Sequence, residues 1–234
     1  MEQENKQIFD FDLKMIADFF RELDRQGPGG VEQTLRALEF VPDRPGMRIA
    51  DIGCGTGGQT VTIARNRDCT ITAVDLLPEL LEEFRARIKK AGLENRVTAI
   101  QGSMDALPFS PGEFDVIWAE GSIYNIGFER GLREWRQYLK PGGIIAVTEC
   151  PSGKVRILEE AGYAPLAHFA LPEHCWTENY FAHASARIPG FLKQYGHSEK
   201  ALLLAEMQKN EIAHYEKYKA YYGYVFYIGQ KPEE

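Results

Sequence analysis

Short apolar runs alternate with longer segments of helical periodicity between Met47 and Thr148, and this alternation leaves the chain few possible folds. Repeated units of strand, helix and strand form a parallel sheet, because each helix returns the chain to the same edge. The apolar runs predict five parallel strands, at residues 47–52, 69–74, 97–100, 115–118 and 144–148. The sequence therefore predicts an α/β protein with a Rossmann-like, doubly wound sheet.

The helices between these runs carry their own start and stop signals. Pro78 opens a helix whose apolar side chains share one face, and Gly92 is placed to end it. A second helix is predicted from Phe128 to Leu139, and it stops at Pro141-Gly142-Gly143, where proline and glycine cannot continue it.

Both flanks of this core add elements of their own. An amphipathic stretch from Asp10 to Leu23 predicts an N-terminal cap helix. After the core, the pattern predicts a helix at 155–161, a strand at 166–171, a helical insertion at about 172–222 and a last strand at 224–228. We predict a mostly parallel sheet of seven strands whose last strand is antiparallel. The whole is expected to be one domain, with a cap at 1–45, a cofactor-binding core at 46–150 and a C-terminal part at 151–234.

The charge balance and the cysteine positions argue against several functions. The 34 acidic side chains outnumber the 27 basic ones, and the net charge of -7 repels phosphate backbones and anionic lipids. We therefore expect no nucleic-acid partner. The sequence shows neither a signal peptide nor a long apolar run, so we expect no membrane partner and a cytoplasmic location. The 4 cysteines form no disulfide or metal-ligand pattern, and no metal is expected.

A dense glycine-rich turn follows the first predicted strand, with glycines at Gly53, Gly55, Gly57 and Gly58. Such a turn lets the backbone approach a ligand at the positive end of the following helix. The spacing is ambiguous, because the first, second and fourth glycines fit a dinucleotide site and the first three fit an S-adenosylmethionine site. Asp51 favours the second interpretation, since a carboxylate there repels a pyrophosphate but suits the ammonium of a methionine.

A second carboxylate is placed for nucleoside binding. Asp75 ends the second predicted strand, 22 residues beyond Gly53, where it can accept both hydroxyls of a ribose laid across the strand ends. One charge-assisted bond of this kind contributes about 1.5 to 3 kcal/mol. Asp75 could equally cap the helix that Pro78 opens, but its spacing from the glycines favours binding.

Five parts of the core together resemble the class I S-adenosylmethionine-dependent methyltransferases of the small-molecule type, akin to the ubiquinone and menaquinone C-methylases. These parts are residues 51–58, Asp75, 102–109, 114–117 and 139–143. The resemblance implies S-adenosylmethionine as cofactor, S-adenosylhomocysteine as product and a small-molecule acceptor. We expect a monomer or a homodimer. Residues 120–127 are similar to a bacterial subgroup of the family, which implies fold and cofactor but no particular acceptor.

The same resemblance assigns the cofactor contacts to Asp51, Gly53, Cys54, Gly55, Gly57, Asp75, Leu76, Ser103, Met104, Glu120 and Arg25. Ser103 stands where relatives usually carry an acid that binds the adenine amine, so Ser103, the backbone of Met104 or Asp105 makes that contact here. Arg25 lies in the segment that relatives fold over the cofactor, where a guanidinium can neutralise the methionine carboxylate. The link at 151–153 is shorter than the substrate-covering segment of relatives, so the lid must come from elsewhere.

Methyl transfer from a sulfonium is an in-line displacement, so the protein mainly has to align acceptor and methyl group, an effect that contributes about 7 to 11 kcal/mol. Candidate acceptor contacts follow the fourth and fifth strands or belong to the insertion: Trp118, Tyr124, Asn125, Glu149, Trp176 and Tyr180. The catalytic candidates are Glu120, as general base or acceptor-orienting group, and Tyr124, as a group that bonds the acceptor. Glu120 could instead be a solvated carboxylate of the loop, and Tyr124 could be part of the pocket wall.

Two other functions stay open at this point. A nicotinamide-dependent oxidoreductase fits the glycine spacing and Asp75 but leaves Asp51 unexplained. A non-catalytic module that binds S-adenosylmethionine would have its acceptor mouth plugged by side chains. Tyr215 and Lys219 have the spacing of a short-chain dehydrogenase pair, but chance produces such pairs in a helix rich in both residues. The favoured prediction is an enzyme, a methyltransferase that uses S-adenosylmethionine.

Overall fold

The protein, seen in a computed structural model that describes residues 13–150 and 153–233, is built around one sheet. Its strands are β1 (Met47–Ile52), β2 (Cys69–Asp75), β3 (Val97–Gln101), β4 (Phe114–Ala119), β5 (Leu139–Glu149), β6 (Ala164–Ala170) and β7 (Val225–Gln230). The first five run parallel, in the spatial order β3-β2-β1-β4-β5, and β7 lies antiparallel between β5 and β6. The predicted α/β fold, with five parallel strands and a terminal antiparallel pair, is confirmed.

Helices cover both faces of this sheet. They are α1 (Leu13–Phe20), α2 (Val31–Leu38), α3 (Gly58–Asn66), α4 (Pro78–Ala91), α5 (Phe128–Trp135), α6 (Lys154–Glu160), α7 (His174–Trp176), α8 (Ala182–Gln194) and α9 (Glu199–Tyr218). A π-helical turn, Thr177–Phe181, joins α7 to α8, and short 3-10 turns occur at Ile123–Asn125 and Arg136–Tyr138. In the described part of the chain, no helix combines the length and the apolar character needed to cross a bilayer.

The helix signals read from the sequence agree with the structure in α4 and only partly in α1. Pro78 lies in the first turn of α4, and Gly92 ends that helix with a φ of 67°, as predicted. The predicted cap helix is α1, which ends at Phe20 instead of Leu23. Residues 10–12 of that prediction, and residues 151–152 of the predicted short link, lie outside the described residues.

The start of β5 differs from the prediction. The helix expected to reach Leu139 ends at Trp135, and β5 already begins at Leu139, so that Pro141-Gly142-Gly143 lies inside the strand. The pairing of β4 with β5 shifts between Phe114 and Val116, which leaves this stretch out of register with its neighbour. A proline is tolerated in such an irregular stretch because no ladder hydrogen bond depends on its missing N–H.

The sheet separates two apolar cores. The core shared with α1 to α4 and the insertion contains the fully buried Phe19, Ile49, Trp118 and Phe226. The core shared with α5 and α6 contains the fully buried Ile52, Ile117, Trp135 and Val147. Burying one large apolar side chain contributes about 1.5 to 3 kcal/mol, so these layers fix the strand register on both faces.

The insertion, α7 to α9, packs against the N-terminal segment on the first of these faces. The ring of Phe191 in α8 meets Phe19 of α1 edge-on, with centroids 5.1 Å apart. The side-chain amide of Asn179, in the π-helical turn, donates a hydrogen bond to the carbonyl of Gly29 at 2.7 Å. Gly29 in turn lies against the carboxylate of Glu120, just after β4. Cap and insertion therefore meet over the carboxyl ends of the parallel strands.

Candidate functional site

The glycine-rich turn connects β1 to α3 at the carboxyl edge of the sheet. Gly53 and Gly57 have φ values of 76° and 81°, in the left-handed region that side chains disfavour. A Cβ atom on Gly53 would overlap Ser122 in the loop after β4, and one on Gly57 would overlap the ring of Phe84 in α4. The turn therefore has a backbone conformation and a packing that only glycine allows.

Gln26, in the N-terminal segment, lies directly on this turn. Its side-chain oxygen accepts a hydrogen bond from the backbone N–H of Thr56 at 2.9 Å, and its amide nitrogen donates to the hydroxyl of Thr56 at 3.0 Å. A Cβ atom on Gly55 would overlap the same side-chain oxygen. The sequence places Gln26 in the segment that relatives fold over the cofactor but predicts no role for it, because an isolated glutamine before a glycine-rich stretch carries no pattern.

Asp75 stands at the end of β2, beside the turn. Its carboxylate accepts hydrogen bonds from the backbone N–H of Gly55 at 2.8 Å and of Leu77 at 3.0 Å. Burial raises the pKa of Asp75, although these two donors favour its charged form. The neighbouring Leu76 is 51% exposed, so an apolar side chain and a carboxylate lie together at the edge where a nucleoside is expected.

Asp51 lies beneath the turn and is fully buried. It accepts hydrogen bonds from the hydroxyl of Thr60 at 2.5 Å and the amide of Gln59 at 3.3 Å. Burial raises the pKa of Asp51 to about 7, against those two hydrogen bonds; the charge of Glu120 raises it as well, whereas that of Arg25 lowers it. A buried carboxyl, a second carboxylate and a guanidinium thus face one another next to the turn.

Glu120 is the centre of this group, and its carboxylate has three donors. Arg25 forms a 2.7 Å ion pair with it, the hydroxyl of Thr34 donates at 2.7 Å and the indole N–H of Trp118 donates at 2.8 Å. The side chain of Glu120 is only 3% exposed. Its oxygens all have donors within the protein, an arrangement that suits a residue which holds Arg25 in place. The role of Glu120 as general base or acceptor-orienting group stays a prediction.

The loop after β3 forms the third side of the turn. The methyl group of Met104 lies 3.5 Å from the position that a Cβ on Gly53 would occupy. The hydroxyl of Ser103 accepts a hydrogen bond from the backbone N–H of Asp105 at 3.2 Å. The carboxylate of Asp105 pairs with Arg130 at 2.7 Å on the exposed side. Met104 thus approaches the turn, whereas Asp105 is paired with Arg130 on the exposed side.

A second group of side chains lies beyond the loop that follows β4. We call it the tyrosine crevice, and it consists of Tyr124, Tyr180, Glu211, Tyr222 and Tyr224. Tyr124 is 47% exposed, yet burial and the carboxylates of Glu211 and Glu149 raise the pKa of its phenol. The ring of Tyr124 is thus accessible beside the carboxylates of Glu211 and Glu149.

The members of the tyrosine crevice are neighbours although they come from distant elements. The hydroxyl of Tyr180 lies 3.4 Å from the carboxylate of Glu211 and 3.4 Å from the side-chain oxygen of Gln208. Burial raises the pKa of Tyr180, and the charges of Glu211 and Tyr124 add to the shift. The pKa of Tyr224 is raised by burial and by Tyr124. The loop after β4, the π-helical turn, α9 and the segment before β7 therefore meet here.

The structure brings some of the predicted acceptor contacts together at this crevice. Tyr124 and Tyr180 belong to it, and Asn125, which donates to the carbonyl of Ser122 at 2.9 Å, adjoins it. Glu149, at the end of β5, acts on the phenol of Tyr124 and accepts a hydrogen bond from the N–H of Cys150 at 2.8 Å. Their contact with an acceptor stays a prediction.

The two predicted tryptophans are both buried. Trp118 is fully buried, packs against Phe226 and donates to Glu120. Trp176 is 1% exposed and stacks on Tyr215 of α9 with centroids 4.7 Å apart. Trp118 supports Glu120 from behind, whereas Trp176 borders the tyrosine crevice, with its ring centroid 5.3 Å from that of Tyr222 and 5.0 Å from that of Tyr224.

Glu211 is the residue of this region that sequence reasoning missed. Burial raises its pKa to about 7, although its hydrogen bond with Tyr180 favours the charged form. The signal in the sequence is its position in α9, where it shares a face with the buried Leu204, Gln208 and Tyr215. An acid on the inward stripe of a helix is unusual, but a glutamate in a charged helix is assigned to solvent by default.

Comparison with known proteins shows that the central part of the chain is similar to methyltransferases. Residues 49–143 match the model of a methyltransferase domain. The ubiquinone/menaquinone biosynthesis C-methyltransferase UbiE of Shewanella frigidimarina is 29% identical over 127 residues, which are 53% of this chain and 50% of that protein. The chain thus spans about half the length of this curated relative.

Solved structures share the whole fold at lower identity. A SAM-dependent methyltransferase from Geobacter sulfurreducens, in complex with S-adenosyl-L-homocysteine, superposes with a TM-score of 0.80 at 19% identity, over 92% of this chain and 97% of that one. The [4+2]-cyclase SpnF superposes with a TM-score of 0.79 at 21% identity, over 97% and 95%. The fold is that of the Rossmann-like methyltransferases. The match of residues 49–143 to a methyltransferase domain agrees with the class I, small-molecule type that the motifs predicted.

Proposed function

We propose that this protein transfers the methyl group of S-adenosylmethionine to a small-molecule acceptor and releases S-adenosylhomocysteine. The observation that carries the proposal is the juxtaposition of two sites on one sheet edge. The glycine-rich turn with Asp51 and Asp75 lies at the ends of β1 and β2, and the tyrosine crevice lies beside the ends of β4 and β5. Ligands of doubly wound sheets bind at this edge, so two reactants can meet there.

The residues around the turn fit the parts of S-adenosylmethionine. Asp75 is available for the ribose hydroxyls, and the exposed Leu76 offers an apolar surface to the adenine beside Ser103 and Met104. The amino-acid end of the cofactor carries both an ammonium and a carboxylate. Asp51 and Arg25 supply the complementary charges, and they act on each other across the turn.

In this proposal Glu120 positions Arg25 and is not the base. Its carboxylate already accepts from Arg25, Thr34 and Trp118, and breaking one charge-assisted bond in a buried setting costs about 1.5 to 3 kcal/mol. Glu120, which is predicted to contact the cofactor, therefore acts on it indirectly in this proposal, by holding Arg25 in place. A methyl transfer needs alignment more than acid–base help, and the loop from Glu120 to Tyr124 connects the two sites.

The alternatives make different demands on the same residues. A nicotinamide dinucleotide would bring its pyrophosphate to a turn that lies directly above the buried Asp51, and the two negative charges oppose each other. A protein of this fold can also carry out another reaction, as the name of the cyclase SpnF illustrates. For a pure binding module, no acceptor would be turned over.

Calorimetric titration with S-adenosylmethionine, S-adenosylhomocysteine and NAD tests the cofactor. We expect both adenosyl compounds to bind and NAD to give no heat of binding; binding of NAD alone overturns the proposal. Release of S-adenosylhomocysteine in the presence of a broad panel of metabolites then tests turnover. Cofactor binding without release from any acceptor favours the binding module.

The remaining predictions about partners belong to this proposal. The acidic balance of the chain, with 34 acidic and 27 basic side chains, supports a small-molecule acceptor over a nucleic acid. The four cysteines are all free, which supports a reducing compartment such as the cytoplasm. We also propose a single domain with a cap and an insertion, because one sheet of seven strands runs through the described residues. A monomer or homodimer stays an expectation.

A further inference from the structure

Glu211 is a carboxyl group without a cationic partner in a recess lined by phenols. Within residues 13–150 and 153–233, the side chain that acts on it is Tyr180, and no lysine or arginine forms an ion pair with it. Buried or half-buried carboxylates are normally paired with a cation, so this arrangement leaves a place for a positive charge.

The rest of the tyrosine crevice has the same preference. The phenols of Tyr124, Tyr180 and Tyr224 present electron-rich rings, which attract ammonium groups by cation–π interaction. Glu149, at the end of β5, adds a second carboxylate that acts on Tyr124 and Tyr224. The crevice therefore offers aromatic faces and negative charge to one occupant.

One buried donor at the edge of the crevice also lacks a partner. The indole Nε1 of Trp176 makes no hydrogen bond to any described residue, although Trp176 is 1% exposed. A Cβ atom on Gly223, which lies between Tyr222 and Tyr224, would be 3.9 Å from this nitrogen. An unpaired buried N–H is costly, and a ligand oxygen in the crevice would satisfy it.

We propose that the methyl acceptor is a small amine, bound in the tyrosine crevice as its ammonium, and that Glu211 takes up the proton which the nitrogen must lose before it is methylated. The inference rests on the proposed methyl transfer and names its substrate class. An oxygen on the same small molecule, a hydroxyl or a carboxylate, fits the free N–H of Trp176.

The chemical step balances without any further reactant. The ammonium gives a proton to the Glu211 carboxylate, which becomes a neutral acid. The nitrogen lone pair then forms the new bond to the methyl carbon, and the electron pair of the breaking sulfur–carbon bond stays on sulfur. S-adenosylhomocysteine and a methylated ammonium result, and Glu211 returns its proton to solvent.

The acid–base behaviour of Glu211 agrees with this role. Its pKa is raised to about 7 by burial, so near neutral pH the group changes easily between the forms that accept and hold a proton. The titratable groups that face the crevice from the surrounding elements are Tyr124, Glu149, Cys150, Tyr180, Tyr222 and Tyr224. Against the larger effect of burial, the charge of Lys154 acts on the thiol of Cys150 and lowers its pKa.

A pair of isosteric probes tests the charge preference. The full chain, saturated with S-adenosylhomocysteine, is titrated with choline and with 3,3-dimethylbutan-1-ol, its uncharged isostere. We expect choline to bind at least about tenfold more tightly, as expected for an ammonium in an aromatic site with a carboxylate. Equal binding of the two probes, or binding of neither, overturns the proposal.

Two glutamine variants on α9 locate the effect. Glu211→Gln should reduce the preference for choline to less than about threefold, because an uncharged amide no longer pairs with the ammonium. Glu206→Gln removes an exposed acid from the same helix and should retain the full preference. Affinity for S-adenosylhomocysteine should be the same in both variants. An unchanged preference in Glu211→Gln contradicts the assignment.

Turnover gives a readout that a purely structural role would not move. Among small amines, phenols and carboxylic acids, we expect amines to release S-adenosylhomocysteine fastest, with kcat/KM rising as pH increases through about 7. Glu211→Gln should lose this rise. Turnover of phenols in preference to amines overturns the amine proposal alone, whereas failure to bind either adenosyl compound overturns the methyl transfer on which it rests.

Discussion

The carboxylates on the cofactor side of this site have more hydrogen-bond partners within the protein than the carboxylate of Glu211 on the acceptor side. At the ends of β1 and β2, Asp51 accepts bonds from Gln59 and Thr60, and Asp75 accepts two backbone N–H groups at 2.8 and 3.0 Å. In the tyrosine crevice, Glu211 has one long contact, 3.4 Å to the hydroxyl of Tyr180. On the cofactor side, each carboxylate thus already has two hydrogen-bond donors from the protein before any ligand binds.

This difference predicts how the two sides respond to amino-acid substitutions. A site with satisfied polar groups and forced backbone angles is pre-organised, so substitutions there damage folding or cofactor affinity. A site with unsatisfied groups depends on its ligand for the missing partners, so substitutions there alter acceptor binding and leave folding nearly intact.

Gly57→Ala should have the largest effect of the substitutions considered, and it should destabilise the cofactor side. A φ of 81° disfavours any side chain, and the new Cβ overlaps the ring of Phe84, so the free energy of unfolding should fall by about 2 to 4 kcal/mol in urea titrations. Gly92→Ala is the matched control, because its φ is 67° but no atom lies within 4 Å; its loss should be about 1 kcal/mol. Equal losses in the two variants would contradict the packing argument.

Asp75→Ala should weaken binding of S-adenosylhomocysteine by about 10- to 100-fold, because charge-assisted bonds to the ribose are lost. Calorimetric titration measures the affinity, and circular dichroism shows whether the variant is folded. Glu94→Ala, which removes an exposed acid just after α4, should leave the affinity unchanged. A folded Asp75→Ala protein with wild-type affinity would remove Asp75 from the site.

The affinity for S-adenosylhomocysteine should fall about five- to tenfold when the pH is lowered from 7.5 to 6. Burial raises the pKa of Asp51 to about 7, and the carboxylate form is the one that attracts an ammonium, so protonation below that pKa opposes binding. Titrations in buffers of different ionisation enthalpy should detect proton release near pH 6. Asp51→Asn should abolish this pH dependence, and its persistence in that variant would assign it to another group.

Tyr124→Phe should give the smallest effect and sharpen the contrast between the two sides. Removing one hydroxyl from the crevice should lower kcat/KM for the acceptor about two- to tenfold while cofactor affinity and unfolding free energy stay the same. Tyr221→Phe is the control, since that side chain is 89% exposed. A loss of cofactor affinity in Tyr124→Phe would mean that the two sides are not separable.

The cofactor side could be predicted from the sequence because its residues are fixed by short spacings. Asp51 and the glycines follow one another in one turn, and Asp75 follows at the end of the next strand, so strand order alone places them together. The strands were found for the same reason, since apolar runs are local signals. The start of β5 was predicted wrongly because Pro141 and its glycines look like a stop, and the register shift that accommodates them depends on β4.

The acceptor side could be predicted only in part, because it depends on contacts between distant residues. Tyr124 and Tyr180 were found from their positions after β4 and in the insertion. Glu211 was missed, since its surroundings are set by how α9 packs on the π-helical turn. The partners of Glu120 were missed likewise: Arg25 and Thr34 precede it by 95 and 86 residues, and no periodicity links them.

The pairing of Ala170 with Val225, where β6 and β7 meet, has a consequence for how such proteins diversify. The chain leaves the sheet at Ala170 and re-enters it at Val225. The residues between them therefore form one long insertion whose two ends are neighbours in the sheet. An insertion of different length or composition can be exchanged at that point with little entropic cost and no change in strand register. New acceptor preferences can therefore arise by replacing this one segment, while the strands that position the glycine-rich turn, Asp51 and Asp75 keep their register.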